Sequence, residues 1–482
     1  MAGISKYLIA IFAIFYTFHC FAVFSYGNDR ERRVFYVFQN VLMVLTHLLG
    51  FYVLYVKTSD QSMLILCFLE ELLLFAMIVL FRTLYPTASR LITNNICMLL
   101  AISFVILARL SYTRAMKQFV IASFGVAAAL LIPFLIKRID GIRYYYWAAG
   151  IAGLVVLLAM LTRGTVTNGS KISLGIGGFS FLPSEFVRLL FIFFIAGMLT
   201  DEEHRNKNTG RVDIQQLISS AVIAISYVGI LALCKDLGSA LMFSVIYMFM
   251  LYTATKAPLV LIGGAAGMAG ASVLGYRLFA HVRNRVRAFI DPFSDIEGAG
   301  YQVAQSLFAI GTGSWFGLGL MGGSPKSIPE VSKDFIFAAI AEEMGGLVAL
   351  CVIFISLSNF LMFMNISMSI SSIYLRLMAV GLAVNYGFQV ILTIGGVTKF
   401  IPLTGITLPL VSYGGSSVLV TLICFSIIQG LYVLSHEMGD PYDGGDRYDT
   451  DDRYDGDYRY DTDDPYETDD PYHDDDRNEE YY

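Results

Sequence analysis

Four groups of polar residues interrupt an otherwise apolar chain, and their types and spacing could do chemistry. In IPEVSKDFIFAAIAEEMGGLVAL (328–350) one carboxylate, Asp334, stands where a hydrophobic run begins. Glu330 and Lys333 precede it, and Glu342 and Glu343 follow two turns further in. An acid in the first turn of a helix is favoured by the helix dipole, which would also depress its pKa. The same carboxylate among fixed cations, at the mouth of apolar helices, would suit proton abstraction beside a phosphate-bearing substrate. Both readings stand on these residues.

The segment FLPSEFVRLLFIFF (181–194) places Glu185 and Arg188 three apart on one helical face. Pro183 and Ser184 read as a helix start, with Ser184 capping. Capping plus one ion pair accounts for them as well as a functional role does. CKDLGSALMF (234–243) reads as a tight turn between two apolar runs. KFIPLTGITLPLVSYGGSSVLV (399–420) breaks helix at Pro402, Gly405, Pro409, Gly414 and Gly415. Non-helical backbone at membrane depth needs protein or a wet cavity around it. The hydroxyls of Ser412, Ser416 and Ser417 could line such a cavity, and close packing through small residues is the alternative.

The elements that must hold these groups follow from composition. Of 482 residues 56% are hydrophobic and only 15% charged, with mean hydropathy +0.63. So much apolar surface needs a bilayer, and apolar runs of about 17–25 residues recur, each long enough to cross it. Spans are expected near 7–26, 34–56, 62–81, 95–112, 118–136, 144–162, 184–199, 216–234, 238–254, 258–278, 335–364, 375–398 and 407–434. The fold class is therefore all-α, a polytopic helical membrane protein of thirteen spans, with residues 7–26 a full-length span rather than a cleaved leader. Two loops are long, 163–183 and 279–334, and within the second, residues 301–320 are apolar enough for a helix dipping partway into the membrane before a Gly-rich turn. The six cysteines lie far apart in apolar runs, as buried small hydrophobes do. His19 and His47 are expected inside helix packing, and intramembrane Glu70 and Glu71 in interior packing or a partner contact.

Basic residues orient the chain. Arg30, Arg32 and Arg33, then Lys137, Arg138 and Arg143, then Arg205, Lys207 and Arg211 mark three cytoplasmic loops. The 279–334 loop then faces outward, and Arg109, Arg114 and Lys117 fall on the outer side against the rule. From Gly439 onward there are 19 acids and 4 arginines, against 20 acids and 29 bases before it. RYDTDDRYDGDY (447–458) nearly repeats as RYDTDDPYETDD (459–470). Such a tail cannot bury enough surface to fold alone, and reads as a disordered cytoplasmic segment or a dock for a basic partner. The chain carries no Walker A loop, no His/Cys metal spacing and no G-x-S-x-G elbow.

Taken in order, the motifs resemble those of the SEDS family (shape, elongation, division and sporulation; the FtsW, RodA and SpoVE type). The family's GYQ-x-x-QS-x-x-AIG-x-G is matched by Gly300-Tyr301-Gln302, Gln305-Ser306, Ala309-Ile310-Gly311 and Gly313. PE-x-x-x-DFIF-x-x-x-x-EE-x-G is matched by Pro329-Glu330, Asp334 to Phe337, Glu342-Glu343 and Gly345. The closing P-x-x-G-x-x-LP-x-x-SYGGSS, the DLG-[ST]-A turn and the PSE-x-x-[KR] helix start are met at Pro402 to Ser417, Asp236 to Ala240 and Pro183 to Arg188. Ser332-Lys333 and Lys235 depart from the family's usual His-Thr and Pro.

The resemblance implies a ten-helix core at 91–436, an N-terminal extension of three helices at 1–90 and a tail at 437–482. It implies a bacterial cell-membrane peptidoglycan glycosyltransferase that polymerises lipid II on the outer face in division or elongation. Asp334 would be the base, and Arg188, Glu185, Arg285, Lys326, Lys333, Gln302, Gln305, Ser306, Glu330, Ser412 and Ser416 would bind substrate. A divalent cation, Mg or Mn, would bridge the leaving diphosphate, with no other cofactor. A class B penicillin-binding protein is the implied transpeptidase partner, with membrane lipids around both and no nucleic acid. A lipid II flippase and a non-catalytic scaffold for that partner are the competing readings.

Overall fold

Each apolar run folds as a helix because, in hydrocarbon, only a helix satisfies its own backbone groups. The computed structural model describes residues 2–26, 29–138, 143–167, 170–176, 179–200, 214–298 and 300–437. The first five helices are α1 (Ala2–Ser25), α2 (Asp29–Thr58), α3 (Ser62–Leu84), α4 (Arg90–Leu110) and α5 (Tyr112–Ile136). They are followed by α6 (Tyr146–Arg163), α7 (Pro183–Leu199), α8 (Ile214–Leu233), α9 (Leu237–Thr255), α10 (Pro258–Leu278), α11 (Ala280–Ile290) and α12 (Tyr301–Gly313). The last are α13 (Ile336–Glu343), α14 (Gly346–Ser369), α15 (Ile373–Val397) and α16 (Gly415–Glu437). Among the described residues twelve helices are long and apolar enough to cross a membrane. With the shorter α7, 17 residues long, the count reaches the thirteen expected.

The core is centred on α4, which is buried along its whole length, and on α15 and α16. α16 packs on α5, α14 on α15, and α1 on both α2 and α14, so the first three helices join the same compact unit, Met1–Asp440. Buried amides cross that junction: Asn95 accepts from Tyr16 at 3.0 Å and donates to Asn359 at 3.1 Å. Glu70 and Glu71 are explained by interior packing, since the buried ring of His47 lies 3.2 Å from one and 3.3 Å from the other. His19, expected inside, is half-buried against Phe35 and Phe38.

Three boundaries differ from the sequence expectation. The run 335–364 is not one span: it breaks into α13 and α14 at Gly345, whose φ of 98° no L-residue adopts cheaply. The last span begins at Gly415 rather than 407, because the prolines and glycines of 402–414 hold the backbone out of helix. The 163–183 loop forms a small antiparallel meander, β1 (Thr165–Thr167), β2 (Ser170–Ile176) and β3 (Phe179–Phe181), with Thr165 opposite Ser173 and Leu174 opposite Phe181. The loop marked by Arg205, Lys207 and Arg211, and the tail, lie outside the described residues, as do the side chains of Arg30 and Arg143.

Candidate active site

The break at Gly345 opens a gap that the 314–319 segment threads. Leu318 and Gly319 donate to the carbonyls of Glu342 and Glu343, both at 2.9 Å, and Gly346 donates to Ser314 at 2.8 Å. The backbone groups freed by the broken helix are thus paired within the protein, which makes the break tolerable at this depth. A Cβ at Gly345 would lie 2.5 Å from the Gly317 nitrogen, so the contact admits only glycine. Glu342 and Glu343 then pin the next stretch: Glu342 Oε1 accepts from Ser324 N at 2.8 Å and Glu343 Oε1 from Gly323 N at 3.3 Å. Arg109 closes the clamp on Glu343 at 2.8 Å, with both side chains buried.

Asp334 follows on a turn just ahead of α13. Its neighbours are anchored from three sides. Tyr413 N donates to Ser332 O at 2.7 Å, Arg114 Nη1 donates to Ser332 Oγ at 2.5 Å, and the Ser412 hydroxyl donates to Lys333 O. Phe335 and Ile336 are wholly buried and fix the turn from below. The Asp334 Oδ1 is buried and without a hydrogen-bond partner among the described residues, while Oδ2 lies toward Gly405. Across a recess, Arg285 donates to Thr404 O at 2.9 Å. A Cβ built on Gly405 would lie 3.6 Å from Arg285 Nη2 and 3.9 Å from Asp334 Oδ2, so Gly405 forms the floor between cation and acid. Its φ of 78° keeps that floor bare. The Lys235–Gly238 turn packs on the same loop, where a Cβ on Gly238 would meet Thr404 O at 3.1 Å.

Burial raises the Asp334 carboxyl to about 6, with Glu330 adding to the rise; its own backbone N–H, Lys333 and Arg285 pull the other way. The expected depression by a helix dipole is therefore corrected. Asp334 precedes the first helical residue by two positions, and desolvation outweighs the fixed charges. Burial lowers the Arg285 guanidinium, opposed by Asp334 and by Asp236 of the neighbouring turn. A half-buried acid titrating near 6, with one oxygen unpartnered and a cation opposite, can take a proton at neutral pH and return it.

The comparisons with known proteins bear on this arrangement. Residues 82–437, most of the chain, match the model of the FtsW/RodA/SpoVE cell cycle proteins. The chain belongs to that family. It is 34% identical over 319 residues to the peptidoglycan glycosyltransferase RodA of Mycobacterium tuberculosis, covering 63% of this chain and 67% of the relative. It is 32% identical over 332 residues to the stage V sporulation protein E of Bacillus subtilis, covering 66% and 86%. In fold it resembles a chain of a peptidoglycan synthase complex, with TM-score 0.62, 24% identity and coverage of 73% and 99%. It also resembles the Thermus thermophilus rod shape determining protein RodA, with TM-score 0.54, 22% identity and coverage of 72% and 96%. These are multi-pass helical proteins, and this chain is a multi-pass bacterial membrane protein of the same build.

Within that fold the residues expected to bind substrate separate into groups. Asp334 and Arg285 share the recess. Lys333 is exposed and ion-paired to Glu330 at 2.9 Å, and Lys326 is exposed on the 3₁₀ turn Pro325–Ser327. Gln302 and Gln305 are half-buried on α12, whereas Ser306 is buried and donates to Val397 O at 3.0 Å. Ser412 and Ser416 hold backbone: Leu408 N donates to Ser412 Oγ and Leu182 N to Ser416 Oγ, each at 2.9 Å. Glu185 and Arg188 lie apart, in a buried polar cavity with Asn385, Gln389 and Ser417. Their mutual distance is 3.8 Å, and Arg188 donates to Asn385 at 3.3 Å and to Gln389 at 3.2 Å. Ser184 is no cap. The cap position is Leu182, and Ser184 sits inside the first turn, where Ser239 donates to it at 3.3 Å.

Sequence reasoning missed Arg109, Arg114 and Gln118 as parts of the frame. Arg109 and Arg114, counted as exceptions to the basic-loop rule, are spent on Glu343 and Ser332 inside the protein. Gln118 donates to Ser412 O at 3.0 Å. Arginines at the two edges of one short turn between apolar helices were the available signal. Among the described residues no group of three metal-ligating side chains converges.

Proposed function

We infer that this chain is a peptidoglycan glycosyltransferase that polymerises lipid II, with Asp334 as its general base. The acceptor sugar's 4-hydroxyl enters the recess between Asp334 and Arg285. Asp334 takes the hydroxyl proton as the oxygen attacks the anomeric carbon of the donor. The bond from that carbon to the diphosphate oxygen breaks, and undecaprenyl diphosphate leaves with the electron pair. Arg285 lies close enough to stabilise the charge developing on the diphosphate, while Lys333 and Lys326 offer weaker, solvent-screened attraction at the rim. Gln302, Gln305 and Glu330 border the path of the chain, Ser306, Ser412 and Ser416 keep its walls in place, and Glu185 and Arg188, enclosed in their own cavity, lie off that path.

The observation that carries this reading is the Asp334 carboxyl, whose Oδ1 is buried and unpartnered among the described residues and whose Oδ2 faces Arg285 across Gly405. The Asp334 side faces outward, with the acidic tail in the cytoplasm, by the basic-loop rule applied to Arg32, Arg33, Lys137 and Arg138, which sit at the opposite helix ends. Residues 1–90 form an added three-helix module on a ten-helix core at 91–436, and the partner is a single-pass class B penicillin-binding protein. Asp334→Asn tests the assignment in proteoliposomes with labelled lipid II. Polymer is expected from the parent chain and none from the variant, at equal expression and helicity. Polymer at the parent's rate from Asp334→Asn would remove the base, and lipid moved across the bilayer without polymer would favour a flippase.

A further inference from the structure

At the end of α4 remote from Asp334, three arginines, Arg82, Arg90 and Arg33, gather. Arg82 and Arg90 line one pocket, and Arg33 lies within electrostatic reach of Arg82. Among the described residues none of the three makes an ion pair or a hydrogen bond. Like charges held together cost free energy unless an anion sits between them.

A pocket lies at this point, between the last turn of α3 and the first turn of α4. Arg82 and Arg90 line its mouth with Tyr85, and Ile78 and Phe81 form an apolar wall beneath. Its polar floor is already satisfied: Tyr85 donates to Leu130 O at 2.6 Å, and Asn94 to Gln39 Oε1 at 2.9 Å. The guanidinium groups are the donors left over. The rim is rigid, because Gln429 of α16 pairs with both backbone groups of Ser89, each at 2.8 Å.

We propose that this pocket binds the phosphodiester headgroup of an anionic phospholipid, with Arg82, Arg90 and Arg33 on the phosphate and the acyl chains in the surrounding bilayer. Guanidinium forks match phosphate oxygens two at a time. An apolar wall below a cationic mouth fits an amphiphile better than a free ion, and basic pockets between spans are where such headgroups lodge. The lipid would bridge α2 and α3, which supply Arg33 and Arg82, to the start of α4, which supplies Arg90. This inference is independent of the role given to Asp334.

Native mass spectrometry of the purified full chain tests it, with dioleoyl phosphatidylglycerol, dioleoyl phosphatidylcholine and inorganic phosphate as probes. Phosphatidylglycerol should be retained in preference to phosphatidylcholine, and Arg82→Gln and Arg90→Gln should each weaken retention about five-fold. Arg138→Gln removes a charge at the same end but outside the pocket, and should change nothing. Should either pocket variant fold poorly, Arg33→Gln, on an exposed position, carries the same expectation. Equal retention of the two lipids overturns the proposal. So does an Arg138→Gln effect as large as that of Arg82→Gln, which would reduce the pocket to general surface charge. Inorganic phosphate competing as well as the lipid would make the site one for a free anion, and overturns it too.

Discussion

Replacing Arg285 by glutamine isolates the electrostatics of the recess, because it removes a charge facing Asp334 without touching the acid. The Gly405 Cβ position lies 3.6 Å from Arg285 Nη2 and 3.9 Å from Asp334 Oδ2, so the two groups are at most about 7.5 Å apart. At about 7 Å and an effective dielectric of about 20–40, their attraction is about 1–2 kcal/mol. That corresponds to roughly one pKa unit. Removing the cation favours the protonated acid, so the Asp334 carboxyl should rise from about 6 to about 7. At pH 6 the ionised fraction then falls from about one half to about one tenth, and at pH 8 it barely changes. The assay is kcat/KM for lipid II polymerisation between pH 5 and 9, whose acid limb reports the base of the free enzyme. Ionisation of the lipid diphosphate is common to both proteins and cancels in the comparison. Loss of diphosphate binding would lower the whole profile without moving the limb, so the two contributions separate. Arg285→Lys should leave the limb near its original place. A limb that stays put in Arg285→Gln, or moves to lower pH, refutes the pairing.

Three further outcomes follow from the same geometry. Because the folded Asp334 carboxyl titrates near 6 rather than at its usual 3.8, ionising it costs stability as pH rises through that window. Asp334→Asn should therefore melt at a higher temperature than the parent at pH 8 and at about the same temperature at pH 4, with a difference on the order of 1–3 kcal/mol at most. A lower melting temperature at pH 8 would mean the acid is better satisfied than its orphaned oxygen implies. Arg109→Met leaves the buried Glu343 charge unpaired and should cost about 3–5 kcal/mol, while Arg109→Met with Glu343→Leu should recover much of it. A double variant as unstable as the sum of the singles would show that the pair is not coupled.

Much of the candidate site was legible because its motifs sit at helix ends, where sequence punctuation is strongest. The PSE, DLG and SYGGSS segments each carry Pro, Gly or Ser next to an apolar run, and all three open a span at the same end of the bundle as Asp334. The break at Gly345 was not legible. One glycine in a long hydrophobic run reads equally well as helix, and what forces the break is the 314–319 segment pressed against it from a distant part of the chain. The serines misled for a related reason. Ser412 and Ser416 look like cavity donors in sequence, yet each is used to satisfy backbone from another segment.

Composition and period alone dictate a helical membrane protein of thirteen spans, since hydrocarbon tolerates little else for runs this long and this apolar. Order of motifs alone points to the family and to Asp334. Only the tertiary structure decides what that carboxylate experiences. Its environment depends on long-range neighbours, Arg285 on one loop and Gly405 on another, and on burial by the broken helix. Those neighbours lie about 50 and 70 residues away along the chain, beyond the reach of any local pattern, and they turn an acid expected to be strong into one poised near neutrality.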